Sequence, residues 1–388
     1  SGALSGAGGL IKDGAGTLTL SGLNPYTGGT VIHDGILEVS GSSSGQCRIR
    51  GSVTVNPGAE LRLTGGDGSG FGYTSSASPS QRVDTLNIVD GLVNAGNVHL
   101  YYASVNMTGG DFNVTGQFGN VAVNTLASAN TAQIAGGIVI RGDSWNYLTP
   151  HLPFTVADGA AGVDLLVSAN ISETAGTGRI SKLGAGTMVL TGTNSYSGTT
   201  TVEAGTLLVN GSNNGTGAVT VNGGVLGGTG SIAGPVTING GGTIGAGASP
   251  GHLTLLSAYS QAELGVLHAE LGGNEQGISY DWIEVGTTAT LADGAIIDID
   301  WYGGFWGHGP FDILTAANGI TNVDLSGIVL DGSGAGYGEH AWVASIVSLG
   351  GEAEAIRLEL VPEPLTLLAL GMGLTGLGGY VRRRRRAA

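Results

Sequence analysis

The chain has 388 residues, of which 75 are glycine, 41% are hydrophobic and only 11% are charged. This balance excludes a disordered polar chain, and the ten prolines without a three-residue glycine period exclude collagen. The formal net charge is -15 and the one basic cluster lies at the C-terminus, so we expect no nucleic-acid partner.

The single cysteine, Cys47, excludes a disulfide framework within the chain. We interpret it as a buried or idle thiol, with pairing between chains or a reactive thiol as the alternatives. The chain opens at Ser1 directly into repeat-like sequence, without a charged start and an apolar core. We therefore expect a segment upstream of Ser1.

The chain contains an internal repeat. Residues 6–39 align with residues 176–209 at a constant offset of 170, without a gap, and 16 of the 34 positions are identical. Apolar and polar residues alternate over 17–20 and 36–39, which predicts strands, and the intervening glycines and asparagines predict positive-φ turns. Shared positions include Gly14 and Gly184, Thr17 and Thr187, Leu20 and Leu190, Asn24 and Asn194, Tyr26 and Tyr196, and Gly35 and Gly205.

This shared pattern resembles the autotransporter-associated β-strand repeat. Lys12 and Lys182 fall on the lysine position of that pattern. The resemblance implies a right-handed parallel β-helix, in which rungs stack about 4.8 Å apart and ladders of valine, leucine and isoleucine fill the interior. With about 20 to 25 residues in a rung, the repeat region makes roughly ten rungs and a rod about 50 Å long.

The composition divides the chain into a solenoid and a cap. We predict an all-β solenoid over residues 1–260. Most tryptophans lie beyond it, and we predict a β-rich cap over residues 261–349, which covers the last open rung. Residues 350–361 are predicted to be a linker. Looser relatives of the alternating pattern cover residues 53–63, 86–114 and 219–244.

Glycine-rich sequence generates short functional motifs by chance. Four such matches are rejected because the neighbouring sequence lacks what each motif requires. Residues 41–45 have the Gly-x-Ser-x-Gly spacing of a nucleophile turn, but no predicted helix follows. Residues 228–233 mimic a dinucleotide-binding turn but continue as strand. Residues 141–143 spell an isolated Arg-Gly-Asp tripeptide. Residues 65–68 are one near match to a calcium-binding nonapeptide, which needs a tandem array.

Two carboxylates in the C-terminal third are the strongest candidate for a ligand surface. Asp298 and Asp300 alternate with apolar residues, so a strand puts both on one face, about 6.7 Å apart along the backbone. That separation suits calcium binding or acid–base catalysis on a glycan. The simpler interpretation is that these are ordinary acidic residues on the solvent-exposed face of an amphipathic strand. Nearby Tyr302 and Trp306 are either an aromatic platform for sugar rings or part of the hydrophobic core of the cap.

The histidines give no metal signal. All seven lie far apart in the sequence, without HExxH or another close ligand spacing, so we predict no metal site and no cofactor. We also predict no catalytic residues. The acidic surface can still bind divalent cations loosely and bridge to anionic polysaccharide, without a defined site.

The C-terminal residues 362–388 have three parts. Pro362, Glu363 and Pro364 come first, an apolar run over residues 365–381 follows, and a basic tail comes last. The apolar run predicts a single transmembrane helix of marginal length. Because positive charge stays on the cytoplasmic side, the preceding residues are expected across the membrane. The basic tail is Arg382, Arg383, Arg384, Arg385 and Arg386.

This three-part order resembles the PEP-CTERM sorting signal of Gram-negative bacteria, which is recognised by an exosortase. The resemblance implies that an exosortase-type membrane enzyme processes the tail during export, with the helix as a transient anchor. It also implies that the product reaches the cell surface or the extracellular matrix. An ordinary tail anchor is the alternative, but it leaves the Pro-Glu-Pro triplet as a coincidence.

Together these features predict an exported, non-enzymatic structural protein associated with exopolysaccharide, biofilm or adhesion. Two alternatives remain: a polysaccharide-active lyase or hydrolase built on a β-helix, and an autotransporter-like adhesin passenger. The nine lysines and arginines before Arg382 are few for lyase chemistry on acidic glycans. A passenger is expected to end in a membrane barrel rather than in arginines. The pattern predicts no particular oligomeric state.

Overall fold

The computed structural model describes residues 3–40, 48–65, 82–142, 150–247, 250–301, 309–321, 328–331 and 341–361. Over these ranges the regular elements are β-strands joined by turns, which confirms the predicted all-β class. No helix among the described residues is long and apolar enough to cross a membrane. The predicted sorting signal, with its transmembrane helix at residues 365–381, lies outside the described residues.

The chain divides into two compact units, residues 1–207 with 211–217, and residues 208–210 with 218–388. The strands up to residue 213 are β1 (Leu10–Lys12), β2 (Thr17–Leu20), β3 (Thr30–Ile32), β4 (Gly35–Val39), β5 (Gly51–Val55), β6 (Ala59–Leu63), β7 (Val83–Val89), β8 (Leu92–Tyr101), β9 (Ser104–Thr108), β10 (Asp111–Gly119), β11 (Ala122–Thr125), β12 (Ala132–Arg141), β13 (His151–Val156), β14 (Leu165–Val167), β15 (Asn170–Thr174), β16 (Arg179–Leu183), β17 (Thr187–Leu190), β18 (Thr193–Asn194), β19 (Thr200–Val202), β20 (Thr206–Val209) and β21 (Ser212–Asn213). The strands after it are β22 (Val219–Val221), β23 (Gly224–Gly227), β24 (Ser231–Ile232), β25 (Val236–Ile238), β26 (Gly242–Ile244), β27 (His252–Leu255), β28 (Tyr259–Gln261), β29 (Val266–Leu271), β30 (Trp282–Val285), β31 (Ala289–Leu291), β32 (Ile296–Trp301), β33 (Phe311–Ala316), β34 (Ile320–Thr321), β35 (Val329–Asp331), β36 (Ala341–Gly350) and β37 (Ala353–Val361).

In the first unit, successive strands go in turn to two parallel sheets. One sheet has the order β1-β3-β5-β7-β9-β11-β13-β16-β19, and the other has the order β2-β4-β6-β8-β10-β12-β14-β17. Strand β15 also pairs with β12, and β18 pairs with β21. Because the chain returns to each sheet in the same direction, one strand from each sheet makes one rung of a coil. This parallel stacking is consistent with the predicted β-helix.

Ladders of apolar side chains fill the interior of the first unit. Register places Ile32 beside Val55, Val55 beside Ile88, and Ile88 beside Met107. All four side chains are fully buried. Burying each of these side chains contributes about 1.5–3 kcal/mol relative to leaving it exposed. The inward-facing apolar residues of the short strands are therefore a main source of stability.

Each copy of the repeat supplies strands to two successive rungs. In the first copy, β1 pairs with β3 and β2 pairs with β4. The sequence predicted the strands at 17–20 and 36–39 but missed β1 and β3. These two strands have three residues each, which is too short to show a convincing alternation.

The rungs vary in length more than the expected 20 to 25 residues. Asn106 and Asn124 hydrogen-bond between adjacent strands of one sheet and are 18 residues apart. Asn87 and Thr54 do the same and are 33 residues apart. The longer rung accommodates an insertion between strands. Its β5–β7 pair has a register shift between Gly51 and Ser52, after which Ser52 to Val55 pair in step with Thr85 to Ile88.

In the second unit, β22-β25-β28-β31-β34 and β23-β26-β29-β32-β35 form two parallel sheets. Parallel pairing continues past residue 260, where the boundary between solenoid and cap was predicted. The position of that boundary stays a prediction. A third sheet of order β24-β27-β30-β33-β37-β36 ends in antiparallel pairs of β37 with β33 and β36. Residues 350–361 therefore differ from the predicted linker, because β37 occupies most of them as a hydrogen-bonded strand.

Candidate functional site

Strands β29 and β32 of the second unit place four ionisable side chains on one outward face. Over residues 267–271 and 297–300 of these strands, buried apolar residues alternate with partly exposed polar ones. The parallel register sets His268 beside Asp298 and Glu270 beside Asp300. The prediction that Asp298 and Asp300 share a face therefore agrees with the burial pattern of β32.

His268 lies between the two aspartates. Its Nδ1 is 3.0 Å from Oδ2 of Asp298, and its Nε2 is 4.0 Å from Oδ2 of Asp300. The side chains are 27%, 35% and 40% exposed, so water and ions reach all three. The hydrogen bond with Asp298 raises the pKa of His268; partial burial opposes this shift, and the charges of Asp298, Glu270 and Asp300 add to it. We call His268, Asp298 and Asp300 the His268 cluster.

Sequence reasoning missed His268 because it is 30 residues from Asp298. The aspartates looked isolated from any histidine or basic residue along the chain, and only the parallel register brings His268 beside them. The other two residues predicted for this surface, Tyr302 and Trp306, lie outside the described residues.

A buried carboxyl group lies next to this face. Asp281 is 2% exposed. Its Oδ1 accepts a hydrogen bond from the backbone N–H of Gly251 at 2.8 Å, and its Oδ2 accepts one from the N–H of Glu270 at 3.1 Å. Burial raises the pKa of Asp281 to about 7, and the two N–H donors oppose that shift. Asp281 thus links β29 to the turn before β27 rather than facing a ligand.

The raised pKa of Asp281 predicts a pH dependence of stability. The unfolded carboxyl group loses its proton near pH 3.8 and the folded one near pH 7, so folding takes up a proton between these values. Stability is therefore expected to fall as pH rises through this window. Between pH 4.5 and 7 the free energy of unfolding of the wild type should fall by about 3 kcal/mol relative to that of Asp281→Asn, which has no titrating group at this position. Denaturant unfolding at several pH values measures it, and parallel pH profiles would contradict the prediction.

The characteristic side chains of the repeat are buried and bond to the backbone, so they hold rungs together rather than face a ligand. Lys182 is 1% exposed, and its Nζ donates to the carbonyl oxygens of Leu183, Gly184 and Ala204. Asn194 is fully buried and accepts from the N–H of Ile171. Their counterparts Lys12 and Asn24 are buried in the same way.

The other sequence motifs gain no functional support. Residues 228–233 form a turn and the short strand β24, with no helix at this position. Arg141 ends β12, and its Nη1 donates to Oε1 of Gln117 at 2.6 Å and to Oη of Tyr101 at 3.2 Å. Residues 41–45 and Cys47 lie outside the described residues, as do Asp143 and most of residues 65–68.

Comparison with known proteins identifies the repeat. A family model described as Passenger-associated-transport-repeat matches residues 10–39 and 180–209. The two matches are separated by the same offset of 170 residues as the repeat. They confirm the prediction of two autotransporter-associated repeat copies.

Two curated proteins are similar to parts of the chain. The "Adhesin BmaC autotransporter" of Brucella suis biovar 1 (strain 1330) is 30% identical over 241 residues, which are 51% of this chain and 7% of that protein. The "Extracellular serine protease" of Serratia marcescens is 35% identical over 86 residues, which are 22% of this chain and 8% of that protein. The chain thus spans less than a tenth of the length of either relative.

Proposed function

We propose that this chain is part of an exported, non-enzymatic surface protein whose stacked rungs present an adhesive face. The observation that carries the proposal is the pair of passenger-type repeats at residues 10–39 and 180–209. Both copies form strands of parallel rungs, as expected of a scaffold built by repetition. The similarity to a protein named as an adhesin autotransporter supports the same role.

The proposed mechanism is geometric. Stacked rungs repeat similar polar positions about every 4.8 Å along a sheet. One such row in the first unit is Asn87, Asn106 and Asn124, whose amide groups are linked by hydrogen bonds of 2.9 and 3.0 Å. Many weak contacts to a repeating partner, such as an exopolysaccharide or a surface glycan, add up to an avidity greater than that of any one contact.

An enzymatic role on polysaccharide is less well supported. Lyase chemistry on acidic glycans needs a cationic group aimed at the substrate. Several basic side chains in the described ranges have structural partners instead. Arg62 bonds to Glu60 at 2.8 Å, Arg357 bonds to Asp312 at 2.7 Å, and Lys12 and Lys182 bond to backbone carbonyl groups.

The export route is a separate part of the proposal. The Pro-Glu-Pro triplet at 362–364, the apolar run at 365–381 and the arginines at 382–386 support sorting by an exosortase-type membrane enzyme, with a transient helical anchor. The adhesin passenger alternative has the same repeats and the same adhesive role but differs in how the chain leaves the cell.

The test uses the native host, with the gene deleted and then restored. We expect the restored wild-type protein in the surface fraction, with a C-terminal peptide that lacks Arg382 to Arg386 by mass spectrometry. Changing Pro362, Glu363 and Pro364 together to alanine should keep the arginines on the protein and leave it with the membrane. Thr366→Ala, in the same tail, is the matched control and should be sorted normally.

Adhesion and retention of exopolysaccharide are measured in the same strains. Deletion should lower both several-fold, and the wild-type gene should restore them. If the surface fraction contained protein with an intact tail, exosortase sorting would be contradicted. The proposed adhesive role would not be affected. Normal adhesion in the deletion strain would contradict the adhesive role.

A further inference from the structure

We propose that His268, Asp298 and Asp300 form a binding site for a divalent transition-metal ion. The proposal goes beyond the adhesive role, since it concerns a defined ion site in the second unit. One ligand atom from each of the three residues lies within 4.8 Å of the others. The carboxylates come from one strand and the imidazole from its parallel neighbour, so the backbone register holds the donors together.

The distances suit one ion after small side-chain movements. A metal bound at about 2.0–2.2 Å keeps adjacent ligand atoms roughly 3 to 3.5 Å apart. Nδ1 of His268 is already 3.0 Å from Oδ2 of Asp298. One imidazole nitrogen binds the ion, and a set of one ligand atom from each of the three residues already lies within 4.8 Å of one another. All three side chains are partly exposed, so rotation about their terminal torsions is not blocked by core packing.

The donor chemistry selects the class of ion. One imidazole nitrogen with two carboxylate oxygens suits Zn²⁺ and other late first-row ions, whereas Ca²⁺ and Mg²⁺ prefer oxygen ligands alone. Three protein ligands leave positions open for water or for a group of a bound partner. The site would therefore give a glycan or peptide oxygen a direct metal contact on this face.

The surroundings also favour a cation. Glu270 lies on the same face as His268 and beside Asp300 in register, so a third carboxylate borders the cluster. On the preceding rung Gly245 lies next to His268, and an added Cβ there would lie 3.6 Å from Cβ and 3.7 Å from Cδ2 of the histidine. Glycine at this position keeps one flank of the imidazole free of a side chain.

A second histidine–carboxylate pair provides a matched control. Nε2 of His252 is 3.0 Å from Oε2 of Glu284, on strands β27 and β30. This pair has the same kind of contact as His268 with Asp298. His252 does not belong to a group of three or more metal-ligating residues in the described part of the chain.

The test is calorimetric titration of the full purified chain with ZnCl₂ at neutral pH, with CaCl₂ as the comparison. We expect one saturable Zn²⁺ site that binds Zn²⁺ at least tenfold more tightly than Ca²⁺. His268→Gln and the double variant Asp298→Asn/Asp300→Asn should each weaken Zn²⁺ binding at least tenfold. His252→Gln should leave the affinity unchanged, and circular dichroism checks that every variant is folded.

Two outcomes would overturn the site. The first is the lack of saturable Zn²⁺ binding, which would leave His268 only as the hydrogen-bond partner of Asp298. The second is equal binding in His268→Gln and the wild type, which would place the ion elsewhere. Nitrogen-15 spectra give an independent readout, since Zn²⁺ should shift the imidazole resonances of His268 and not those of His252. Tighter binding of Ca²⁺ than of Zn²⁺ would contradict the assignment to a transition metal.

Discussion

Replacing Gly184 with alanine is expected to lower the free energy of unfolding by about 4 kcal/mol. Gly184 has a φ of +77°, and a Cβ there would lie 2.3 Å from the carbonyl oxygen of Val156 and 2.9 Å from its carbonyl carbon. The strained backbone costs about 1–2 kcal/mol. The clash adds about 1–3 kcal/mol, because the preceding rung must move.

The repeat supplies a matched control at the equivalent position. Gly14 also has a φ of +77°, but a Cβ there would meet no atom of the described residues within 4 Å. Gly14→Ala should therefore cost only the backbone strain, about 1–2 kcal/mol. Denaturant unfolding followed by circular dichroism measures both variants. Equal losses would mean that contact with the preceding rung contributes nothing.

This pair shows what the sequence can and cannot predict about the fold. Apolar alternation was enough to predict β2 and β4, and the glycine and asparagine positions were enough to predict turns. The two glycines are equivalent in sequence, yet among the described residues an added Cβ would contact a preceding rung only at Gly184. Such differences depend on which residues of the neighbouring rungs pack against a position. The local sequence pattern does not specify those residues.

The sequence also predicted only part of the candidate site. Strand alternation was sufficient to put Asp298 and Asp300 on one face, since that property is local to β32. The position of His268 depends on the register of two strands 30 residues apart. A signal was present, because residues 262–271 and 292–301 both begin with alanine and an acidic residue and then alternate, with positive φ at Leu264 and Gly294. Aligning these two segments places His268 opposite Asp298.

Lys182→Met is the second substitution with a large expected effect. Nζ of Lys182 donates to the carbonyl oxygens of Leu183, Gly184 and Ala204 at 3.2, 2.7 and 2.9 Å. Methionine fills the buried volume but leaves these oxygens without that donor, at about 1–3 kcal/mol for each unsatisfied group. Removing a buried ammonium group offsets part of this cost. We expect a net loss of about 2 kcal/mol at pH 7.

The effect of Lys182→Met should grow with pH. Burial lowers the pKa of Lys182 to about 8 from its ordinary 10.5, while the charge of Asp164 opposes the shift. Between these values the unfolded chain binds a proton that the folded chain has released, so the wild type gains stability as pH rises. Because methionine does not titrate, the difference between wild type and variant should increase by about 2 kcal/mol from pH 7 to pH 9.5.

Lys12→Met is the matched variant in the first copy of the repeat. Nζ of Lys12 donates to the carbonyl oxygens of Asp13, Gly14 and Asp34, in the same arrangement as Lys182. Its loss of stability at pH 7 should be of similar size, since the same three bonds disappear. The opposite pH trend would contradict the prediction for Lys182. If the difference in the free energy of unfolding between the wild type and Lys182→Met shrank as pH rises, the carbonyl oxygens would stabilise the ammonium form more than burial penalises it. Lys182 would then remain a charged link between two rungs over the range from pH 7 to pH 9.5.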